Sequence, residues 1–386
     1  MGLRIVDGLI LVACRDRIVR LHDTDGNGEA DFHESFFADP DVTASFHSFN
    51  FDLQTDAAGN LYYAKSGQYT DYALPGAVLK VAPDGRSHEV HCTGLRTPNG
   101  MGMSPDGRPL VSDNQGNWIP ASKISLTREG GFYGVFKSIN TNGAGEKTRD
   151  DFDRPVLWMP QEFDSSSGGQ LFVDDARWGP LAGGYVHTSF GKGWMMRLSI
   201  REHGGIAQGA AWKLPFQFAA GIQRARVNPV DGQVYAVGLS GWQGPTGGAD
   251  GCLQRVRFTG EARTLLVEAG VSADGIELIF SAPVERATAE DVGRYAVRRW
   301  NYRWARSYGS AFHSLDRPGE QGQDPVAVVA ARVSLDGRSV HVELADLRPV
   351  DQMEFRFRLR GADGAPVEET VYLTVHHVPP PADAGR

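Results

Sequence analysis

PDGRPLVSDNQG, residues 105–116, joins a tight turn to a short apolar run and closes on a polar loop. Glycine supplies the positive φ of such a turn, and aspartate bonds its own backbone. The phrase recurs: Asp7-Gly8 precedes LILVACRDRIVRLHD, Gly59-Asn60 precedes LYYAKSG, and Pro229-Val230-Asp231-Gly232 precedes QVYAVGLSG. The first three stand roughly 50 residues apart, the spacing of propeller blades. A propeller sets its inner strands around a channel and supplies functional groups from loops at one mouth. Functional residues are therefore expected just after these apolar runs and among the charges beside them.

Between the third and fourth phrases lie GGFYGVF (130–136), RPVLWMP (154–160), SSGGQLFVDD (166–175) and GGYVHTSFGKGWMMRLSI (183–200), short apolar runs that predict at least one more blade. The polar, Gly-rich stretch 138–154 predicts a long surface loop. From Gly275 the strands lengthen, and EFRFRLR (354–360) alternates strictly between an apolar and a basic face. The expected fold class is all-β: a β-propeller, incomplete or six-bladed, over 1–261, then an immunoglobulin-like β-sandwich over 262–378 and a disordered tail at 379–386. The chain is expected to open inside a blade, at a strand pair, and to lack the first part of the propeller.

Net charge is −8 with acids and bases interspersed, which argues against nucleic acid and anionic membrane as partners. No apolar run is long enough to cross a bilayer. The N-terminal MGLRIVDGLILVACRDR carries an Asp within its apolar stretch and reads as strand rather than signal peptide. Cys14, Cys92 and Cys252 form no CxxC or CxxCH, so neither a zinc ribbon nor a covalent haem c site is encoded here. They read as buried or half-buried thiols.

Four places carry chemistry. Asp23, Asp25, Asn27, Asp31 and Glu34, with the Glu29 carbonyl, match the oxygen positions of a twelve-residue calcium loop with Gly28 at its sixth position. The flank IVRLH is strand-like, so this is no EF-hand; the other reading is an acidic hairpin turn. His47 precedes an inner strand, where an imidazole can take a proton from a hydroxyl; structural histidines are common. Arg96 sits in the turn GLRTPNG, and the loop SDNQGNW (112–118) after the next strand offers carbonyls and amides, including Gly116 and Asn117, to a cation. Arg224 and Arg226, two apart on one strand, suit an acid-rich ligand or protein carboxylates; Lys192 in SFGKGW occupies a comparable place in another blade.

Together and in this order, these segments resemble the pyrroloquinoline quinone (PQQ)-dependent glucose/sorbosone dehydrogenase family over about residues 1–260. The carrying motifs are FHSFNFDLQTDAAGNLYYAKSG, GLRTPNGMGMSPDGRPLVSDNQG, YVHTSFGKGWMMRLSI and IQRARVNPVDGQVYAV. The whole chain is most similar to planctomycete-type sorbosone-dehydrogenase-like, or membrane-bound dehydrogenase domain, proteins, some of which share the WNYRW phrase at 300–304. The resemblance implies PQQ and Ca²⁺ as cofactors and a sugar or other polyol/aldose as substrate. It further implies His47 as base, Arg96 as charge stabiliser, Lys192, Arg224, Arg226 and Asn99 as cofactor contacts, and calcium near Gly116 and Asn117. A separate cytochrome as electron acceptor and a periplasmic or extracellular location follow from it too. Phe46 stands before His47 where the family has an acid, Thr97 where it has Asn, and DNQG replaces an acid-His/Gln-Gly-Pro sequence.

Two other functions are open. Trp300, Tyr302 and Trp304, two apart on one strand face, form either a sugar-stacking platform of a non-catalytic carbohydrate- or protein-binding module or a face packed on protein. A calcium-dependent lactonase would need a carboxylate cluster in the channel, whereas these strand ends offer more cations than acids.

Overall fold

The computed structural model describes residues 2–45, 47–68, 73–135, 152–241 and 247–381. Phe46, most of the loop expected at 138–154 and the end of the tail lie outside them. Among the described residues the regular structure is nearly all strand. Helix is confined to short pieces such as α1 (Arg286–Ala289), and no helix is long and apolar enough to cross a membrane. The chain divides into two compact units: 1–155 with 164–170 and 304–309, and 156–163 with 171–303 and 310–386.

In the first unit, β1 (Gly2–Val6), β2 (Leu9–Ala13), β3 (Arg17–His22) and β4 (Phe32–Ala38) make one antiparallel meander. β5 (Asn50–Thr55), β6 (Leu61–Lys65), β7 (Val78–Val81) and β8 (His88–Thr93) make the next, and β9 (Gly100–Met103), β10 (Pro109–Asp113) and β11 (Ser122–Leu126) follow. A short β12 (Gly131–Phe132) joins β8 in parallel. The turn phrases at 7–8, 59–60 and 105–107 each link the first and second strands of a meander. The expectation that the chain opens at a mere strand pair is corrected: from Gly2 the first meander has four strands, because 32–38 also pairs, on β3.

The first strands, β1, β5 and β9, lie side by side. A Cβ on Gly2 would stand 2.1 Å from the Asp52 carbonyl carbon, and one on Gly100 1.8 Å from the Gly168 oxygen. Backbone meets backbone there, and only glycine permits it. The amides exposed by this packing need acceptors. The buried Asp52, held at φ 55 in a bulge of β5, supplies one: its carboxylate accepts Met101 N–H of β9 at 3.0 Å and Leu53 N–H at 2.8 Å.

β13 (Leu157–Met159) belongs to the second unit, and β14 (Ser167–Val173) starts in the first unit and ends in the second. There β15 (Gly184–Ser189), β16 (Trp194–His203) and β17 (Ile206–Lys213) form a further meander, and β18 (Gly221–Val227), β19 (Val234–Leu239) and β20 (Gly251–Val256) a three-stranded sheet with the fourth turn phrase between β18 and β19. Beyond them, β21 (Leu266–Val271), β22 (Gly275–Phe280), β23 (Tyr295–Trp300), β24 (Asp324–Val326), β25 (Val328–Val333), β26 (Ser339–Leu344), β27 (Val350–Arg360) and β28 (Pro366–Val375) complete the chain. The sheet β21-β22-β26-β25 and the strands β28, β27 and β23 share one apolar core with Ala210 and Trp212 of β17. Phe355, Phe357 and Leu359 point into that core while Arg356, Arg358 and Arg360 are exposed, as the alternation of EFRFRLR requires.

The compact units do not follow a division at residue 261. Hydrogen bonding runs across it, since β28 pairs with β17 through Ala210↔Leu373 and Ala211↔Tyr372, making β15-β16-β17-β28-β27-β23-β24 one sheet. An outermost strand leaves unpaired amides and carbonyls, and β28 covers that edge.

Gly100→Ala is expected to cost more than about 2 kcal/mol in urea unfolding, because backbone must move. Gly107→Ala, with φ 84 but open space around it, should cost only about 1 kcal/mol. Equal losses would contradict the close approach at β9.

Candidate functional site

The Arg96 turn is shaped by a carboxylate rather than by a ladder. Asp113, at the end of β10 and fully buried, accepts the N–H groups of Arg96 (2.8 Å), Thr97 (2.7 Å) and Asn114 (3.0 Å). The guanidinium of Arg96 then lies over Gly116, where a Cβ would stand 2.0 Å from its Cζ. It donates to the Gln115 carbonyl at 3.1 Å, and the Tyr308 ring centroid is 5.2 Å away. Thr97 Oγ1 donates to Gln68 Oε1 at 2.9 Å.

Beneath the turn is a second buried ion. Lys123 faces Asp113 across β10 and β11, and its Nζ donates to the Tyr133 carbonyl at 2.6 Å. Burial pushes the Lys123 ammonium down to about 8, against the pull of the Asp113 charge. Burial likewise raises the Asp113 carboxyl, against the Lys123 charge and the bonds from the Arg96 and Thr97 amides.

A strap from far along the chain crosses this turn. Residues 304–309 belong to the first unit. Trp118 donates its N–H to the Ala305 carbonyl (3.0 Å), Gly309 to the Gly116 carbonyl (3.0 Å), and Asn117 Nδ2 to the Arg306 carbonyl (2.9 Å). Trp304 stacks on Trp118 (5.0 Å) and Phe152 (5.3 Å) and bonds the Gly134 carbonyl at 3.0 Å. Trp118 sits at φ 65, a conformation a bulky residue keeps only where its surroundings impose it.

His47 is half-buried in the segment between β4 and β5. Both ends of that segment are fixed by one buried cluster. Lys65 Nζ donates to both Asp39 oxygens (2.8 and 2.7 Å) and to the Asp41 carbonyl (2.9 Å), and Asn50 Nδ2 donates to Asp39 (2.9 Å). Burial lowers the Lys65 pKa, while its hydrogen bond to Asp39 opposes the shift.

In the second unit Lys192 is half-exposed in the turn between β15 and β16, and Arg224 and Arg226 are half-buried on β18, which packs beside β15. A bulge between Ile222 and Arg224 interrupts the strand pairing there. Arg224 Nη1 donates to the Gln223 carbonyl (2.8 Å) and Arg226 Nη1 to that of Ala225 (2.9 Å). Asn99 lies in the first unit, where its amide braces the Ser167 carbonyl at 2.8 Å.

Of the acidic loop, Asp23, Asp25 and Asp31 are gathered, with ligand atoms within 4.8 Å of one another and exposed. Asn27 and Glu34 are turned elsewhere. Asn27 Oδ1 accepts the Glu29 N–H (2.7 Å), and Glu34, opposite Arg20 in the β3–β4 ladder, bonds His22 on β3 (2.8 Å). Gly116 and Asn117 do not make a calcium site as they stand. A guanidinium lies on Gly116, its carbonyl already accepts from Ile119 and Gly309, and Asn117 Oδ1 is buried with no partner among the described residues.

The platform reading of the WNYRW phrase is corrected. Trp300 and Tyr302 are buried, against Phe312 (4.7 Å) and Trp158 (5.9 Å), and Trp304, at the start of the strap, packs on Trp118 and Phe152. Sequence reading passed over Lys65 and Tyr308, and took Asp113 only as part of the polar loop. The signal for Asp113 was its place at the end of an apolar run; nothing local marks Tyr308.

No protein-family profile matches the chain, and no curated protein does. Among solved structures, a Thermus thermophilus protein provisionally assigned as an oxidoreductase (glucose dehydrogenase) matches with a TM-score of 0.51 at 18% identity, over 66% of this chain and 82% of its own. At that identity the likeness is one of fold. A PQQ-bound aldose sugar dehydrogenase from Streptomyces coelicolor matches at 13% identity over 66% of this chain and 93% of its own, with a TM-score of 0.39. The holo PQQ domain of pyranose dehydrogenase from Coprinopsis cinerea matches at 9% identity over 97% and 81%, with a TM-score of 0.38. The strands of this chain thus fit a propeller-like, all-β fold.

Lys123 supplies a pH test. Between about 8 and its ordinary 10.5 it is neutral when folded and protonated when unfolded, so its contribution makes stability rise with pH across that window. Lys123→Met should abolish this rise in chemical denaturation; an unchanged slope would show Lys123 charged in the fold.

Proposed function

We propose that the chain is an oxidoreductase acting on the CH–OH group of a sugar or other polyol, with pyrroloquinoline quinone as cofactor. The observation that carries the reading is Arg96, held by Asp113 on a bare glycine at a meander end of a propeller-like fold. The donor set suits the quinone. Lys192, Arg224 and Arg226, on neighbouring elements of one unit, are cationic partners for its carboxylates. A bound quinone supplies a two-electron acceptor for hydride.

His47 takes the hydroxyl proton on an imidazole nitrogen, its segment kept in place by the Asp39–Lys65 cluster. Arg96 stabilises negative charge developing on the substrate oxygen. The Gly116–Asn117 corner does not suit calcium, so no step is assigned to a metal there. Calcium is proposed only at Asp23, Asp25 and Asp31, as a brace for the β3–β4 hairpin. A calcium-dependent rise in Tm that Asp25→Asn removes supports that role; an equal Tm with and without chelator refutes it. By the same resemblance we propose a planctomycete-type relationship, a propeller followed by an immunoglobulin-like sandwich, a periplasmic or extracellular location and a separate cytochrome acceptor.

A second reading has its own observation. Tyr308 and the Gln115 carbonyl already engage Arg96, as expected of a propeller retained for binding. Steady-state turnover of an aldose panel, with quinone and an artificial electron acceptor, separates the two. The oxidoreductase reading expects turnover that His47→Gln lowers by about 10² or more in kcat. Absence of turnover, with glycan binding that His47→Gln leaves intact, would establish the binding module instead.

A further inference from the structure

Strand β28 places Val367, Val371, Leu373 and Val375 in the apolar core of the second unit. Side chains alternate along a strand, so Glu369 shares their face, opposite Phe357 of β27. An acid in that row is out of pattern. Glu369 is half-buried and has no hydrogen bond or ion pair among the described residues. It lines a cavity of about 240 Å³ whose walls include Trp178, Trp212, Leu214, Phe216, Phe258 and Leu266. Trp178 spends its indole N–H on the Val256 carbonyl (3.1 Å) and so has only its ring to offer.

Apart from Arg257, the cations around Glu369 are engaged elsewhere. On the cavity's 257–263 side, Arg263 pairs with Glu261 at 3.0 Å, and Arg257 is solvent-exposed. Glu369 also borders a second cavity, of about 480 Å³, lined by Glu162, Lys213, Arg356, Arg358 and Glu368. There Lys213 lies over the Trp194 ring (4.4 Å), Arg356 pairs with Glu354 (2.6 Å), and Arg358 with Glu368 (3.9 Å). Glu369 is thus a carboxyl among aromatic walls with no protein cation assigned to it. Aromatic faces attract cations, and a partly desolvated acid gains most from an opposite charge.

We propose that this cavity binds a small organic cation, an ammonium group carried on an apolar body, with Glu369 as its counter-charge. The site lies wholly in the second unit and does not depend on the quinone reading. Burial pushes the Glu369 carboxyl up to about 8, so near neutral pH it is largely protonated and must ionise to hold the cation.

Calorimetric titration of the full chain with benzyltrimethylammonium, whose charge does not change with pH, tests the proposal. Benzyl alcohol serves as neutral comparison. Binding of the cation should tighten by about tenfold between about pH 6.5 and about pH 8.5, while benzyl alcohol shows no such gain. Glu369→Gln should remove the pH dependence and weaken binding by about tenfold at the higher pH. Phe258→Ala, at an exposed wall, should weaken binding at both. No saturable binding of the cation to the wild type, or equal affinity for the two ligands at both pH values, overturns the proposal without recourse to any variant. Unchanged binding in a folded Glu369→Gln protein overturns it as well.

Discussion

The first strands of successive meanders meet without sharing a hydrogen-bond ladder, and this constraint shapes everything near the candidate site. Amides that a neighbouring strand would satisfy in a continuous sheet must find other acceptors. Buried carboxylates supply them: Asp52 takes Met101 N–H, and Asp113 takes those of Arg96 and Thr97. A buried carboxylate is stable only where hydrogen bonds or opposite charge compensate it. Lys123 faces Asp113, and Lys65 is bonded to Asp39. The groups that satisfy the backbone are therefore the groups that fix Arg96 and the His47 segment.

Local physics was readable in the sequence, and distant partnership was not. Asp7-Gly8, Gly59-Asn60, 105–107 and 229–232 each mark the hairpin between the first two strands of a sheet, because a tight turn is decided by the residues in it. The alternation of EFRFRLR named its buried face for the same reason. The sequence could not show that β28 would close the open edge of β17, since that pairing joins residues more than 150 positions apart. Nor did it show that Tyr308 would lie over Arg96, or that Trp300 and Tyr302 would be buried. Periodicity tells that residues share a face, not what covers it. The calcium pattern fails locally at Glu34, where the strand that begins at Phe32 turns the carboxylate toward His22.

The strap at 304–309 gives the Arg96 turn its particular character. It fills the space beside the guanidinium with an aromatic ring and uses the carbonyl oxygens that a metal ion would need. A quinone-dependent reaction at this turn accordingly relies on the chain's own cations for charge stabilisation. The same enclosure is what a binding module would retain. Both readings place weight on residues with identical local geometry, so the cofactor itself decides between them.

Calorimetric titration of the full chain with pyrroloquinoline quinone tests the account most directly. It predicts saturable one-to-one binding that weakens by about tenfold or more in Arg224→Gln and again in Arg226→Gln, since each removes a charge-assisted contact to a carboxylate. Absence of binding to the wild type, or binding that both substitutions leave unchanged, would contradict it.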